Sequence, residues 1–420
     1  MNRSDGASEE SMAVPVDELR VTEAQRLIAD AIEPIDAIQR VDLRSALNRV
    51  LAVDLPAPVD VPPADCSAMD GFAIRASELS AEGDSVFLLA GTALAGRPFL
   101  RPVPIGHAVR VTTGALMPAG LDTVVVQEVA RVEGARVFVP PGQRSGSNRR
   151  LRGENLARGT VAVAAGRLLR PADLGLLASI GIGDVPVRRQ LRVAYFSTGD
   201  ELRPLGARLE IGQIYDSNRY TLFGMLHRLG VDLIDMGIVP DDPIALEATL
   251  RSASERADVI LSSGGVSVGE ADFTHEVMAR LGEVLFWKIA MRPGRPLAFG
   301  RVGSAYYFGL PGNPVASMTS FYFLVRGALN RLMGATQPAP PTYRARAIDG
   351  FAKKPGRTEF QRAFFTRSGS GELTVRSTGD QGSATLRSMT QANCIVVLAH
   401  DATSVAPNEA VDIVPFDGLL

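Results

Sequence analysis

The sequence predicts an α/β multidomain protein built around a doubly wound, mostly parallel sheet. Between residues 189 and 336, buried apolar runs alternate with helical patterns, and the order strand, loop, helix is clearest around "ADVILSSGG". Such alternation is typical of parallel sheets whose faces are covered by helices. At 420 residues the chain also exceeds what one hydrophobic core usually supports. We therefore expect further domains before and after the α/β domain.

Composition and charge exclude several classes of protein. The net charge is −2, from 44 basic and 46 acidic residues, which gives no bulk attraction to nucleic acid or to an anionic membrane. Cys66 and Cys394 are the only cysteines and there are four histidines, which argues against a disulfide framework or a zinc cluster. The sequence has no apolar run long enough to span a membrane and no secretory signal. We expect a soluble, cytoplasmic protein.

The chain begins with an acidic segment rich in small residues, which predicts a disordered tail over residues 1–18. From residue 20 to 50, apolar residues recur at spacings of three and four, which predicts helices. Thr22 is placed to cap the first of them and Pro34 to end it.

A β-rich stretch follows over residues 55–144. Runs such as "SVFLLAG", "HAVRVTTG" and "ARVFVPP" are separated by glycine and proline, as in a small β domain. Residues 145–188 then add a strand and a helix that starts near Pro171. We expect residues 19–54 plus 145–188 to form one helical and extended domain, with the β domain inserted into it.

The α/β domain is expected over residues 189–336. Its first helix, "DSNRYTLFGMLHR", can be capped by Asp216 or Ser217, and the next carries Pro243 in its first turn. "PLAFG" and "AYYFGLPG" predict a hairpin, and a long helix begins at Pro314. After it, residues 337–420 are again β-rich, with "TEFQRAFFTRS", "ELTVRSTGDQGSATLRSM" and "NCIVVLAHD" as expected strands of a β-barrel-like domain.

Charged residues follow the ends of the predicted parallel strands. Because the carboxyl ends of parallel strands meet at one edge of a sheet, these residues are expected to share a rim. Carboxylates and cations together suit a phosphorylated ligand bound partly through a divalent metal. The acidic residues of the rim are Glu201, Asp241, Asp242, Glu270 and Asp272, and the basic ones are Lys288, Arg292 and Arg295.

The loop "SSGGVSVGEAD" lacks both the P-loop pattern and G-x-G-x-x-G. Its glycines still allow backbone N–H groups to converge on an anion at a helix start. An ordinary turn between strand and helix explains the same residues. Asp241 or Asp242 can equally be a helix cap, Asp70 can belong to a surface Asp-Gly turn, and "GLPGNP" can be a rigid strand-to-helix turn.

The chain resembles the molybdopterin molybdenumtransferases, the MoeA family that includes the E domain of gephyrin and its plant counterpart. The resemblance covers the chain from about residue 20 to its end. It is carried by ordered motifs: "SAMDGFAI", "VTTGALMPAGLDTVVVQE", "FSTGDEL", "GQIYDSNRYTL", "SSGGVSVGEADF", "FWKIAMRPGRPLAFG", "FGLPGNPVAS" and "EFQRA".

The resemblance implies an elongated four-domain subunit that forms a homodimer. The active site is expected in a cleft between the molybdopterin-binding domain of one subunit and the β domain of the other. The implied reaction inserts molybdate into adenylylated molybdopterin, with Mg²⁺ as cofactor, and releases AMP together with the molybdenum cofactor. Other proteins of molybdenum cofactor biosynthesis and acceptor molybdoenzymes are implied partners, whereas nucleic acid and membranes are not.

The resemblance also implies roles for individual residues. Catalytic roles are expected for Asp70, Thr113, Glu201, Asp241, Asp242, Asp272 and Lys288, with Glu201, Asp241 and Asp272 as metal ligands. Substrate contacts are expected from Ser263, Gly264, Gly265, Ser267, Gly269, Arg292, Arg295, Pro311, Gly312, Asn313, Pro314, Arg362 and Ser383.

The chain departs from the family's pattern at two places. Arg292 and Arg295 stand where relatives commonly have lysine, which keeps the charge but presents a planar fork of donors. Ala316 stands where many relatives have serine, which puts one contact to the oxyanion in question and leaves molybdate or tungstate open. An adenylyltransferase acting on the same pterin and a non-catalytic scaffold remain as alternatives. The matching motifs outside the α/β domain argue against the first, and the retained carboxylates argue against the second.

Overall fold

The computed structural model describes residues 18–265, 273–336 and 339–420. The predicted N-terminal tail lies outside these residues, apart from Glu18. In the described part of the chain, no helix is both long enough and apolar enough to cross a lipid bilayer.

The chain up to Arg188 forms an extended domain with a β sheet inserted into it. Strands β4 to β9 form the inserted six-stranded sheet, in the order β7-β4-β6-β5-β9-β8. Three antiparallel pairs, β1 with β12, β2 with β11 and β3 with β10, lead the chain into this sheet and out again. The elements are α1 (Val21–Ala31), β1 (Ile38–Asp42), β2 (Leu55–Pro56), β3 (Cys66–Ser67), β4 (Gly71–Ile74), β5 (Ser85–Ala93), β6 (His107–Val111), β7 (Thr123–Val126), β8 (Arg131–Glu133), β9 (Arg136–Val139), β10 (Arg149–Arg150), β11 (Val161–Val163), α2 (Pro171–Ser179) and β12 (Asp184–Arg188).

Two details of the sequence prediction are wrong in this region. Helix α1 starts after Arg20, whose backbone N–H donates to the Glu23 carboxylate at 2.8 Å, so Thr22 lies in the first turn and does not cap the helix. The segment predicted as a second helix is instead β1 followed by the short 3₁₀ turn Leu43–Ala46. Pairing with β12, far along the chain, satisfies the backbone of β1 and overrides the local helical spacing.

The second domain is the predicted α/β unit. Its sheet has the order β16-β13-β17-β21-β20-β18, in which β16, β13, β17 and β21 are mutually parallel and β20 forms an antiparallel hairpin with β21. The elements are β13 (Arg192–Thr198), β14 (Leu202–Arg203), β15 (Ile214–Tyr215), α3 (Asn218–Arg228), β16 (Asp232–Val239), α4 (Pro243–Arg256), β17 (Val259–Ser263), α5 (Thr274–Leu281), β18 (Gly282–Lys288), β19 (Met291–Arg292), β20 (Pro296–Val302), β21 (Ala305–Leu310), α6 (Pro314–Ser320) and α7 (Arg326–Leu332), the last two joined by the π-helical turn Phe321–Val325.

Both faces of this sheet are buried, as the apolar strands require. Tyr195 and Leu261 pack into one hydrophobic cluster, while their neighbours Phe196 and Ile260 pack into another on the opposite face. Because side chains alternate across a strand, each strand contributes to both clusters. The predicted doubly wound, mostly parallel sheet is confirmed.

The C-terminal domain is a closed β-barrel. Its strands follow the order β19-β23-β24-β22-β26-β25, and β25 pairs back to β23. One strand of this sheet, β19, belongs by sequence to the α/β domain, so a strand pair joins the two domains. The stretch from residue 372 to 389, predicted as strand, is strand only at β24, and its end forms helix α8. The elements are β22 (Tyr343–Ala347), β23 (Thr358–Arg367), β24 (Leu373–Ser377), α8 (Leu386–Gln391), β25 (Cys394–Leu398) and β26 (Ala410–Pro415).

A carboxylate at the start of β17 ties the entry of the α/β domain to its sheet. Asp258 accepts two hydrogen bonds from the Arg189 guanidinium, both at 3.0 Å, and further bonds from the backbone and side chain of Arg192. Burial by itself would raise the pKa of Asp258, but the hydrogen bonds from the two arginines outweigh it, and the pKa lies below its usual value. The ionised carboxylate is therefore the form that stabilises the fold.

We expect Asp258→Asn to lower the free energy of unfolding by about 2 kcal/mol near neutral pH, because charged hydrogen bonds are lost. Since the pKa is lowered in the folded state, this stabilisation is present above the usual aspartate pKa and is lost as the pH falls through the folded value. The difference in thermal midpoint from the wild type should therefore shrink below about pH 4. Asp412→Asn, which removes the exposed pair with Arg344, is the control and should change the midpoint little. A difference that is constant with pH would contradict this account.

Candidate functional site

The carboxyl ends of the parallel strands surround a cavity of about 1040 Å³. Its walls come from the turns that follow β13, β17 and β21, from the start of α3, from the segment around β19, and from a loop of the C-terminal barrel. The predicted site residues on its wall are Glu201, Asp241, Ser263, Gly264, Gly265, Arg292, Arg295, Pro311, Gly312, Asn313, Pro314 and Ser383. Of the eight charged residues that the sequence places at one rim, the fold brings four to this cavity: Glu201, Asp241, Arg292 and Arg295.

The glycine turn after β17 is held tightly against the neighbouring strands. Gly264 has φ +97°, and its N–H donates to Leu310 O at 3.0 Å. A Cβ at this position would overlap the carbonyl oxygen of Thr198, so only glycine fits. The remainder of the turn, with the predicted residues Ser267, Gly269, Glu270 and Asp272, lies outside the described residues.

Asn218 connects two walls of the cavity by hydrogen bonds. The sequence indicated this residue only as part of the start of a helix. Asn218 is buried, and its amide nitrogen donates to Ser263 Oγ at 2.7 Å and to Gly312 O at 2.6 Å. It thereby connects α3, the end of β17 and the turn after β21. The preceding Asp216 accepts from the Ser197 hydroxyl and the Arg219 N–H, which fixes the start of α3.

Two carboxylates face the cavity from the turn after β13 and the turn after β16. Asp241 accepts a hydrogen bond of 2.6 Å from the Thr198 hydroxyl, and Glu201 is exposed. Asp242 instead caps α4, since its carboxylate accepts from Ala245 N at 2.7 Å. Among the described residues, no three His, Cys, Asp or Glu side chains cluster closely enough to hold a metal ion by themselves.

Arginines line the same cavity as these carboxylates. Arg295 pairs with Glu18 at 2.8 Å, and Arg292 lies 3.8 Å from the buried carboxylate of Glu359. Arg357, which the sequence analysis did not single out, also lines the wall. Lys288 ends β18 at the same edge of the sheet but does not line the cavity.

A smaller cavity of about 290 Å³ opens beside the first, on the barrel side, and Arg362 lies on its wall. The Arg362 side chain is 1 % exposed and donates to Ser388 Oγ at 3.0 Å and to Gly382 O at 2.9 Å. Burial lowers the pKa of this guanidinium to about 10, so it stays charged at neutral pH. None of the described carboxylates forms an ion pair with Arg362, and a buried cation of this kind is suited to binding an anion.

Ser383 connects the barrel to the α/β domain at the edge of the large cavity. Its hydroxyl accepts a hydrogen bond of 3.0 Å from the Asn313 amide, and its carbonyl oxygen accepts one of 3.0 Å from Val315 N. Ala316, the position where relatives have serine, also lines this wall and offers no hydroxyl.

Asp70 and Thr113 lie together on the inserted β domain. The Asp70 carboxylate accepts from the Thr113 backbone N–H at 2.6 Å and from its hydroxyl at 2.9 Å. These two hydrogen bonds lower the pKa of Asp70 and favour the charged form. None of the described residues that line either cavity comes from residues 55–144, so the pair does not meet the cavities of its own chain.

Family models match three successive parts of the chain. Residues 19–181 match the MoeA N-terminal region (domain I and II), residues 194–331 match a probable molybdopterin binding domain, and residues 344–416 match the MoeA C-terminal region (domain IV). The three matches together span most of the sequence in the order expected for one protein family.

Curated relatives and solved structures agree with these matches. The chain is 42% identical to a molybdopterin molybdenumtransferase of Haemophilus influenzae over 90% of this chain and 94% of the relative. It is 33% identical to one of Staphylococcus aureus over 94% of both chains. Among solved structures, a molybdopterin biosynthesis moeA protein from Pyrococcus horikoshii superposes with a TM-score of 0.83 at 29% identity, covering 95% of this chain and all of the other.

Proposed function

Because this chain belongs to the MoeA family of molybdopterin molybdenumtransferases, we propose that it inserts molybdate into adenylylated molybdopterin and releases AMP. The observation that carries this proposal is the pair of adjoining cavities. The larger lies at the strand ends of the domain that matches molybdopterin binding, and the smaller holds a buried, charged arginine. One suits a phosphorylated pterin and the other suits an oxyanion.

The glycine turn and the prolines of the large cavity suit the phosphorylated part of the pterin substrate. Gly264 turns the backbone at the end of β17 while its own N–H is bound to the last carbonyl oxygen of β21, and Gly265, next to it on the wall, presents backbone that can meet phosphate oxygens. Arg295 and Arg357 also line this cavity and share one carboxylate, Glu18, so the pair leaves a net positive charge there. Hydrolysis of the adenylyl link adds water across one P–O–P bond, which leaves AMP and the pterin's own phosphate.

The smaller cavity is proposed to hold molybdate. Arg362 and Arg292 supply positive charge to its oxygens, and both residues lie on the wall. The two dithiolene sulfurs of the pterin then bond to molybdenum. Their protons leave with one oxide of molybdate as water, so no protein nucleophile is required.

Magnesium is the cofactor that the proposal includes, and the residues present fit it. Glu201 and Asp241 offer oxygen ligands on the cavity wall, and Mg²⁺ usually keeps several waters and binds through one or two carboxylates plus substrate phosphates. Bound there, Mg²⁺ would polarise the adenylyl phosphate. Asp241 is held in place for this role by the Thr198 hydroxyl.

The proposal also includes a homodimer. Asp70 and Thr113 are exposed and lie away from the cavities of their own chain, so a second copy would have to present them to the site. Exposed apolar side chains on the segment between β14 and α3 are suited to cover such a surface, among them Leu205, Ile211 and Ile214.

The test of this function is AMP release from adenylylated molybdopterin by the purified protein. We expect AMP only when molybdate and Mg²⁺ are both present, and we expect Asp241→Asn to reduce the rate by about a hundredfold, because a metal-binding charge is lost. Asp232→Asn makes the same substitution at the opposite end of β16, where the side chain is exposed, and should keep the wild-type rate. Wild type that binds the pterin without releasing AMP would instead favour an adenylyltransferase or a scaffold.

A further inference from the structure

The two cavities share one wall. Arg292, Pro293 and Gln381 line both the cavity of about 1040 Å³ and the cavity of about 290 Å³. Gln381 comes from the barrel loop over residues 378–385, which runs between β24 and α8. Gln381 is therefore the barrel's contribution to the wall between the two cavities.

Gln381 is fixed mainly by the backbone of Arg362, and its amide also contacts Ser377 Oγ, at the end of β24, at 3.2 Å. Its side-chain oxygen accepts a hydrogen bond of 2.8 Å from Arg362 N, and its amide nitrogen donates one of 3.0 Å to Arg362 O. The side chain thus bonds to both backbone groups of Arg362, whose carbonyl oxygen also accepts from Thr378 N at 3.2 Å and from Thr378 Oγ1 at 3.1 Å.

The Arg362 side chain holds the same loop from the other direction. Its Nη2 donates to the carbonyl oxygens of Asp380 and Gly382, at 3.3 and 2.9 Å, which flank Gln381 in sequence. Its Nε donates to Ser388 Oγ. Within the described residues, the remaining nitrogen, Nη1, has no hydrogen-bond acceptor, so it is the nitrogen left to meet a ligand in the smaller cavity.

We propose that Gln381 is a positioning residue for the oxyanion. Gln381 binds the backbone of Arg362 and belongs to the loop whose carbonyl oxygens bind the Arg362 guanidinium. It thereby sets the direction of Arg362 Nη1. Its side chain also separates the oxyanion from the pterin. This inference rests on the proposed function, because it assigns the smaller cavity to molybdate. It adds that loss of Gln381 weakens the binding of the oxyanion and leaves the binding of the pterin nearly unchanged.

The test compares Gln381→Ala with a matched control, Asn393→Ala. The Asn393 side chain bonds in the same way to the backbone of Phe365, farther along β23: it accepts from Phe365 N at 2.8 Å and donates to Phe365 O at 2.9 Å. Asn393 lines neither cavity. Both variants lose two hydrogen bonds to the backbone of β23, and Gln381→Ala also loses the contact with Ser377 Oγ. The thermal midpoint of Gln381→Ala should therefore fall at least as far as that of Asn393→Ala, and the comparison depends on molybdate binding rather than on stability.

We expect Gln381→Ala to raise the molybdate concentration for half-maximal AMP release about tenfold. The half-saturating concentration of adenylylated molybdopterin should change less than about twofold. Calorimetric titration of the protein with molybdate alone should show the same weakening.

Gln381→Glu keeps the acceptor for Arg362 N but loses the donor and places a negative charge on the shared wall. It should weaken molybdate binding further, which a purely structural role does not predict.

Unchanged molybdate dependence in Gln381→Ala, or an equal change in Asn393→Ala, would overturn the inference. Equal losses for molybdate and pterin would also overturn it, because they would indicate general damage to the site. A wild-type protein that binds molybdate in the calorimeter but releases no AMP would refute the proposed function, while the comparison of variants by calorimetry would still decide the role of Gln381. Wild type that takes up no molybdate in either experiment overturns both.

Discussion

Gly264→Ala is expected to reduce AMP release by at least about a hundredfold, because a shift of about 1 Å in a substrate-positioning turn costs that much. The residue has φ +97°, where an L side chain is strained, and the added Cβ would overlap the Thr198 carbonyl oxygen. To remove this overlap, either the turn that follows β17 or the end of β13 must move. Because Gly264 and Thr198 both line the large cavity, either movement changes the shape of the site. The measurement is the rate of AMP release, together with the thermal midpoint.

Gly303→Ala is the control for backbone strain. Gly303 lies in the hairpin between β20 and β21 with φ +57°, and a Cβ there would make only ordinary contacts with Ser254. This variant should lose about 1 kcal/mol of stability and keep its activity. If Gly264→Ala were as active as Gly303→Ala, the turn after β17 would have no part in positioning the substrate.

Two inactive variants are expected to restore activity when they are produced together. Asp70→Asn alters the β-domain side of the proposed site, and Asp241→Asn alters the cavity side. If the site forms between two subunits, half of the randomly assorted dimers are mixed, and each mixed dimer has one intact site. About a quarter of the wild-type activity should then return.

The matched control for this experiment uses two variants on the same side. Asp70→Asn combined with Thr113→Val leaves every site with one altered residue of the β domain, so activity should stay low. The measurement is AMP release from co-expressed, co-purified chains. Activity no higher than that of the separate variants would mean that each site is completed within one chain, and the proposed arrangement would be wrong.

The parallel sheet and the rim of the cavity could be predicted from the sequence for a physical reason. Strands buried on both faces need continuous apolar runs, and the direction of parallel strands places whatever follows them at one edge. Glu201 and Gly264 follow strands in this way and lie together in the folded chain. By contrast, β1 was predicted as helix, because its extended conformation depends on β12, which a local pattern does not contain.

The part of the site that sequence reasoning missed depends on backbone groups brought together by folding. Gln381 was predicted as a strand residue but lies in a loop, and its role comes from the N–H and C=O of Arg362 on β23. Asn218 acts in a similar way, because one of its acceptors is the carbonyl of Gly312. A sequence motif records side chains. The backbone groups that Gln381 and Asn218 bind are present whatever side chain the partner residue carries, so a motif does not reveal them.

The strand pair between β19 and β23 has a consequence for how this protein tolerates mutation. Backbone hydrogen bonds, among them Thr358 N to Ala290 O at 2.9 Å, align the segment that carries Arg292 with the strand that carries Arg362. Main-chain hydrogen bonds do not depend on which side chains the paired residues carry. Substitutions along this boundary can therefore accumulate over evolution while the two arginines keep their spacing, so the alignment of the two cavities depends on the main chain itself.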